Sequence, residues 1–576
     1  MTSEHAAVDF ETSRWTTPVT VAYKDESAEI VYDEPKNTEK LLHQLFKVLH
    51  ARKPEKVWAH NGGKFDWLIV LEYAKSLSLP MKASVKAGRI VFAEIDFGDY
   101  RCKLYDSYAV AQASLKKCAK AFELDSAKHL QDEDYKIDAL KWGKQKRCDG
   151  ALADVRCTYE LIQKLQQQFE EWGGELKATF SSSALSVLKK YVGGLPRISE
   201  QANTFARESY FGGRVEVFRH KPEFILNEWD INSSYPNAMT LPLPWKVSKK
   251  QTDLAIVQAT VTVNPKCELP VLPFRPESGG VYFPSGTWQG VFTLHELEYA
   301  AKVGALTEWR YSEAVYYETA PQKVSEYIET LYESKRTAKG AFREFCKLSL
   351  NGSYGKFGQA PEVESLIHFA TDDAADEAIA KYPPGSLNRI HPFENWHSLK
   401  EIKWAAHTNY ALASYVTSYA RTHLHKLMLG AESLCYVDTD SIHASANSTY
   451  STGAELGQLK LEKEGIKRAH YYAPKIYEFH TDTESHYACK GFPVDGETFA
   501  KTVTGESITT ERMQLFKSQL KRASKFQRHG VELPPVNKSW KMVSPKRKIA
   551  PGSEGYTLPW SVDELSLDVH LKQKTP

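Results

Sequence analysis

Apolar and polar residues alternate in short runs along the first 170 positions. VTVAYK at 19–24, KVWAH at 56–60 and RIVFAEIDF at 89–97 carry the character expected of strands. ALADVRCTYELIQKLQQQF at 151–169 has a helical period instead. Such alternation predicts an α/β unit over 1–170. GlyGly at 173–174, serines at 181–183 and GlyGly at 193–194 predict a linker over 171–199. Residues 200–254 mix strand and turn signals, and 255–318, rich in Pro, Gly and β-formers, reads as a small inserted β unit. A helical stretch runs from about 322 to 350. Positions 359–405, with ProPro at 383–384, read as an irregular second insertion, and helix returns at 409–429.

After that helix comes YVDTDSIH, 436–443, whose two aspartates one residue apart project from one side of a strand or tight hairpin. Carboxylates so close raise one another's pKa unless a cation lies between them, so the pair asks for a divalent metal or a shared proton. An EF-hand is excluded, because Ile442 and His443 occupy a ligand position and the glycine position.

Composition narrows the class. With 576 residues, 25% charged and 42% hydrophobic, the chain is a globular protein with room for several cores. No apolar run approaches a membrane span, and the polar start is no signal peptide, so a cytoplasmic, non-secreted protein is expected. Eight cysteines without a CxxC pair suggest neither zinc site nor disulfide scaffold. The absence of GxxxxGK[ST] weighs against a P-loop ATPase. Net charge is only +2, but Arg512 to Lys548 holds eleven Lys/Arg and one acid, Glu532. That segment, including Lys517, Lys521, Arg522, Lys525, Arg528 and Lys546–Arg547–Lys548, reads as a phosphate-backbone surface or a solvated basic face.

Further acids and cations stand upstream of the octapeptide. DINSSYP at 230–236 places Asp230 at the end of an apolar run, and KLSLNGSYGKFG follows at 347–358. Lys335, Lys339, Arg343 and Lys347 recur every four residues, as one stripe on a single helix or, if Gly340 splits it, across a cleft between two. Either arrangement suits a polyphosphate. One carboxylate from a strand and two from a hairpin can hold two metals about 4 Å apart, the chemistry of nucleotidyl transfer.

These blocks resemble motifs A, B and C of family B DNA polymerases, DxxSLYP, KxxxNSxYG and YxDTDS, with APKIYEF at 473–479 similar to the KxY motif and SYFGGR at 209–214 to the YxGG element. The resemblance implies an α/β multidomain fold: an RNase H-like DEDD exonuclease domain (1–170), then a right-hand polymerase with two insertions. Palm would fall at 200–254 and 406–480, fingers at 319–358, and thumb with basic tail at 481–576. It implies Asp230, Asp438 and Asp440 as catalytic metal ligands, with Ile231 offering a carbonyl. Ser233, Lys335 and Lys347 would meet the triphosphate, Tyr235 would act as the steric gate, and Asn351 and Tyr354 would border the nascent pair. Tyr210, Gly212 and Gly213 would contact DNA, Gly355 would permit close packing, and Lys475 and Tyr477 would grip the primer strand. The sequence departs from the pattern at Gly352, usually serine, and at Ser234, usually leucine.

VDFET places Asp9 and Glu11 on one face of a strand, HNGGKFDWLIV adds Asp66 after Asn61 and Phe65, and the 151–169 helix adds Asp154. Singly each acid reads as a surface or capping residue. Together they resemble the DxE, NxxxFD and YxxxD motifs of the family's 3′–5′ exonuclease, with Gly150 where the last has tyrosine. Asn61, Phe65 and Ser107 would then contact single-stranded DNA. Two Mg2+ per site, with Mn2+ as substitute, are implied.

The short chain and its two insertions resemble the protein-primed branch of phages and linear plasmids. Residues 255–318 would dock a terminal protein, and 359–405 would encircle DNA for processivity and strand displacement. Template, primer, dNTPs and the terminal protein are the implied partners of a monomer, or of a heterodimer with that protein. Two other readings remain, a conventional DNA-primed enzyme and a nuclease-like replication factor. Intact Asp230, Asp438, Asp440, Lys347 and Tyr354 oppose the second.

Overall fold

A computed structural model describes residues 3–566, apart from 14–16, 87, 130–137, 393, 492–493, 512–519, 521–534 and 539–545. The amino-terminal strands form a mixed sheet in which His5–Ser13 and Arg101–Asp106 flank Lys56–Ala59 in parallel, while Thr17–Asp25, Glu29–Asp33, Arg89–Asp96 and Met81–Lys86 join antiparallel. Helix Lys144–Glu171 closes one face, with Ala151 and Val155 against Ala7 and Ala22, small residues that let helix and sheet approach closely. Helices Thr38–Arg52 and Asp66–Ser76 cover apolar residues of the same unit through Leu41, Leu45, Trp67 and Val70. Burial on both faces explains why these strands read as nearly continuous apolar runs.

The 359–405 insertion is regular, not irregular: it holds strands Glu362–His368, Leu387–Arg389 and Trp396–Ile402 and helix Asp372–Lys381. Glu362–His368 pairs antiparallel with Met81–Lys86, Leu366 opposite Ala83, and so extends the amino-terminal sheet to ten strands. Leu366 and Trp396 belong to the amino-terminal core, and Lys75 Nζ meets Glu394 Oε1 at 3.1 Å. ProPro and Gly385 lie between these strands and obscured their alternation.

The expected linker is also structured. Serines 181–183 form the first turn of helix Phe180–Tyr191, whose N-cap Thr179 accepts the Ser182 amide at 3.4 Å. The turn-like composition here belongs to a capped helix N-terminus, where serine and threonine are favoured, and not to a loop. The helix packs Phe180 against Phe345 of a second buried core.

A seven-stranded antiparallel sheet follows, ordered Ser485–Cys489, Ile476–His480, Leu459–Ala473, Glu223–Ile231, Ser441–Ser445, Tyr436–Asp438, Val215–Val217. Helix Tyr410–Leu429 backs it, with Leu424 and Met428 on Trp229, Ile231, Val437 and Ile442. The 255–318 unit is an antiparallel sheet of Ala255–Val263, Gly286–Thr293 and Leu306–Thr319, edged by Pro244–Val247 and covered by helix Leu294–Lys302. Residues 323–352 form two helices, Lys323–Thr337 and Gly340–Gly352, split where Gly340 takes φ +57°.

Of the basic tail, Lys517, Lys521, Arg522, Lys525 and Arg528 lie outside the described residues. The run 546–548 is no open cationic face: Arg547 is buried and Lys548 Nζ meets Glu564 Oε1 at 2.6 Å. No helix among the described residues is long and apolar enough to cross a membrane.

Candidate active site

Strand pairing brings the motif carboxylates together. Asp230, on strand Glu223–Ile231, lies opposite Ser441 on one side and Lys460 on the other. Asp438 ends strand Tyr436–Asp438, and Thr439 turns the chain with φ +67°. Three backbone hydrogen bonds clamp the turn: the Asp440 amide donates to the Asp438 carbonyl (2.7 Å), the Ile231 amide to the Asp440 carbonyl (2.8 Å), and the Thr439 amide to the Arg214 carbonyl (2.7 Å).

Burial, followed by the charges of Asp440, Glu462 and Glu228, pushes Asp230 up to about 7. Burial, followed by Asp438, pushes Asp440 up to about 6. Such repulsion between half-buried oxygens is what a hard divalent cation relieves, so Asp230 and Asp440 fit as donors to Mg2+ or Mn2+. Asp438 already has a counter-ion, since Lys475 Nζ reaches both its oxygens at 2.8 Å, and the Tyr436 hydroxyl donates to it at 3.2 Å. Lys475 is thus the counter-ion of Asp438, and among the described residues no three His, Cys, Asp or Glu side chains stand as a ready ligand set.

Ser233 adopts φ +53° and opens helix Ser234–Met239. Lys335 Nζ donates to its hydroxyl at 3.4 Å. Burial, followed by the charges of Arg343 and Lys347, holds Lys335 below the ordinary lysine range, so cations of the two helices lie close enough to repel one another. Tyr235 and Tyr354 pack with ring centroids 4.4 Å apart. A Cβ on Gly213 would stand 2.7 Å from Thr439 Cγ2 and 3.0 Å from the Tyr235 hydroxyl, so glycine there lets the chain pass against Tyr235 and the Thr439 turn. A Cβ on Gly212 or Gly355 meets nothing within 4 Å, so the close packing expected of Gly355 is absent. Gly358 instead abuts the Tyr210 ring, and Gly352 abuts Phe180, which accounts for a small residue there. Asn351 is exposed, while Tyr477 joins a ring cluster with Tyr436, Tyr471 and His443.

In the amino-terminal sheet Asp9 and Glu11 share one face of strand His5–Ser13. Asp66 begins helix Asp66–Ser76 and accepts the Phe10 amide, which sets it beside that strand. Burial, then Asp106 and Asp154, push it up to about 7, so Asp66 and Asp154 feel one another. Gly150 lies one turn before Asp154 in helix Lys144–Glu171. Asn61 takes φ +63°, and Gly63 lies against the Ile90 carbonyl and Asp106. Phe65 is the N-cap of the Asp66 helix. Ser107 is fully buried, its hydroxyl 2.9 Å from His60 Nδ1, and is not open to a DNA strand. The acid missed from sequence is Asp106, fully buried, which accepts from Arg89 and, at 3.0 Å, from the Tyr108 amide. The sequence signal for it is YDS at 105–107, in which Asp106 directly precedes Ser107.

A family model described as DNA polymerase type B, organellar and viral, matches residues 151–404. The chain is 26% identical over 436 residues to the DNA-directed DNA polymerase of Enterobacteria phage PRD1, covering 72% of each. It is 28% identical over 517 residues to a probable DNA polymerase of Neurospora intermedia, covering 75% of this chain and 52% of that protein. The structure of phi29 DNA polymerase complexed with primer-template DNA and incoming nucleotides superposes with TM-score 0.71 at 17% identity, over 94% of this chain and 100% of the other. That likeness establishes the mixed α/β multidomain fold.

Proposed function

We propose that the chain, which over residues 151–404 is similar to type B DNA polymerases of the organellar and viral kind, extends DNA by nucleotidyl transfer at Asp230 and Asp440, proofreads with an amino-terminal 3′–5′ exonuclease, and starts from a protein primer. The observation that carries the reading is the pairing of strand Glu223–Ile231 with Ser441–Ser445, which sets both carboxylates at one sheet end below the Lys335 cations. Two Mg2+ held there, and two more by Asp9, Glu11, Asp66 and Asp154, would supply an activated hydroxyl or water and a neutralised phosphate. Lys335, Arg343 and Lys347 offset charge on the triphosphate. Tyr235, pinned by Tyr354 and Gly213, limits the space at the sugar. Lys475, paired with Asp438, would exchange it for a primer phosphate. Primer extension by the wild type and its abolition by Asp440→Ala test the polymerase; equal extension by both would refute it.

For the exonuclease, Asp9→Ala with Asp66→Ala should abolish degradation of single-stranded 3′ ends while sparing extension; retained degradation would reject the assignment. Gly150 in place of the water-orienting tyrosine makes a slower exonuclease the expected outcome. Priming is supported by the layout, since 255–318 is a β unit with its own core and 362–402 builds onto the exonuclease sheet. Enzyme, candidate terminal protein, template end and labelled nucleotide should give a protein–nucleotide adduct. Its failure alongside normal extension would leave a DNA-primed polymerase.

A further inference from the structure

We infer that a buried Arg214–Glu216–Arg547 cluster positions the catalytic turn at Thr439, making the carboxy-terminal segment around Arg547 part of the support of the polymerase site. The inference rests on reading that turn as the site of nucleotidyl transfer. The three side chains are 1%, 0% and 1% exposed. Arg214 meets Glu216 through Nη2 at 2.5 Å and Nε at 2.7 Å, and Arg547 Nη1 stands 3.9 Å from the same carboxylate. Removing three ions from water costs several kcal/mol per ion, and well-packed apolar residues would stabilise the fold as well. What the ions add is a defined geometry joining three parts of the chain.

The palm edge strand Val215–Val217 is the first part, with Val215 opposite Asp438 and the Arg214 carbonyl holding the Thr439 amide at 2.7 Å. The second is the connection after strand Ala255–Val263 of the inserted unit, where Arg214 Nη1 donates to the Pro270 carbonyl (2.7 Å) and Arg547 Nη2 to the Glu268 carbonyl (2.8 Å). The third is the carboxy-terminal hairpin of Lys548–Ile549 and Thr557–Leu558. Arg547 Nε donates to the Thr557 hydroxyl at 3.0 Å, and that hydroxyl lies 3.1 Å from the Val217 and Phe218 carbonyls. The guanidinium groups also cover the Phe283 and Phe218 rings, at 4.2 and 4.5 Å. Arg547 touches no reacting group, so it is a positioning residue: it braces the strand whose backbone sets the turn.

The test compares full-length wild type, Arg547→Met and Arg547→Lys by steady-state extension of a primed template, thermal unfolding, and hydrogen–deuterium exchange over residues 434–443. Arg547→Met should lower kcat about tenfold with an unchanged KM for dNTP, and should speed Thr439 amide exchange by about the same factor. Arg547→Lys should recover part of both. A lower Tm with wild-type kcat and wild-type Thr439 exchange would overturn the inference. Should Arg547→Met not fold, Thr557→Val removes only the hydroxyl link, and unchanged Thr439 exchange there overturns it equally. If the wild type extends no primer, the polymerase reading fails, while the exchange data still judge the positioning.

Discussion

Gly213→Ala puts the smallest possible side chain against the Thr439 turn between Asp438 and Asp440. The new Cβ would lie 2.7 Å from Thr439 Cγ2, 2.9 Å from Thr439 Oγ1 and 3.0 Å from the Tyr235 hydroxyl. Contacts that close force a shift, and overpacking of this kind costs about 1–3 kcal/mol. The atoms that must give belong to the turn between Asp438 and Asp440 and to Tyr235, so on the proposed function most of the cost should appear in the reaction. About 2 kcal/mol corresponds to a roughly 30-fold loss of kcat/KM for dNTP. Removing Thr439 Cγ2 by Thr439→Ser should relieve the closest contact, so the double variant should exceed Gly213→Ala alone, a coupling that independent sites would not show. Single-nucleotide incorporation on a primed template measures all three, and Gly212→Ala, whose Cβ meets nothing, should leave Tm unchanged. Wild-type kcat/KM for Gly213→Ala would refute the placement of the glycine against Tyr235 and the Thr439 turn.

Asp230 and Asp440, pushed up to about 7 and about 6, sit above their unfolded values, so in metal-free protein they cost stability increasingly as pH rises from about 4 to 7. Added Mg2+ should therefore raise Tm more at pH 7.5 than at pH 5.5, and its apparent affinity should climb through that range; a pH-independent shift would contradict the buried carboxylate pair. Trp396→Ala should cost about 3–5 kcal/mol in urea unfolding, because that ring fills the amino-terminal core from the insertion; a change below about 1 kcal/mol would mean that the insertion is not part of that core. Lys335→Ala should raise KM for dNTP more than it lowers kcat, whereas an unchanged KM would remove Lys335 from the phosphate cleft.

The juxtaposition of Asp230 with Asp438 and Asp440 is legible because it is built locally: a hairpin needs only its own residues to place Asp438 and Asp440, and one neighbouring strand places Asp230. The 255–318 unit was legible for a similar reason, since its strands pair with one another. The 359–405 segment was not, because its first strand completes itself against Met81–Lys86, nearly three hundred residues earlier. Helix Phe180–Tyr191 is hidden in the sequence because serines at a capped start imitate a loop, and the burial of Ser107 does not show in a tripeptide. Arg547 read as a surface cation for the same reason: its partners Glu216 and Thr557 are distant in sequence or across a turn.

Asparagine in place of Asp230 and, separately, Asp440, followed by rapid-quench incorporation of one dNTP, tests the palm most directly. Both variants should fold with Tm equal to or above that of the metal-free wild type, because an amide removes the buried repulsion. Each should nevertheless lose at least about a thousandfold in rate, or about 4 kcal/mol of transition-state stabilisation. Incorporation at the wild-type rate by either well-folded variant would contradict the assignment of these two carboxylates to nucleotidyl transfer.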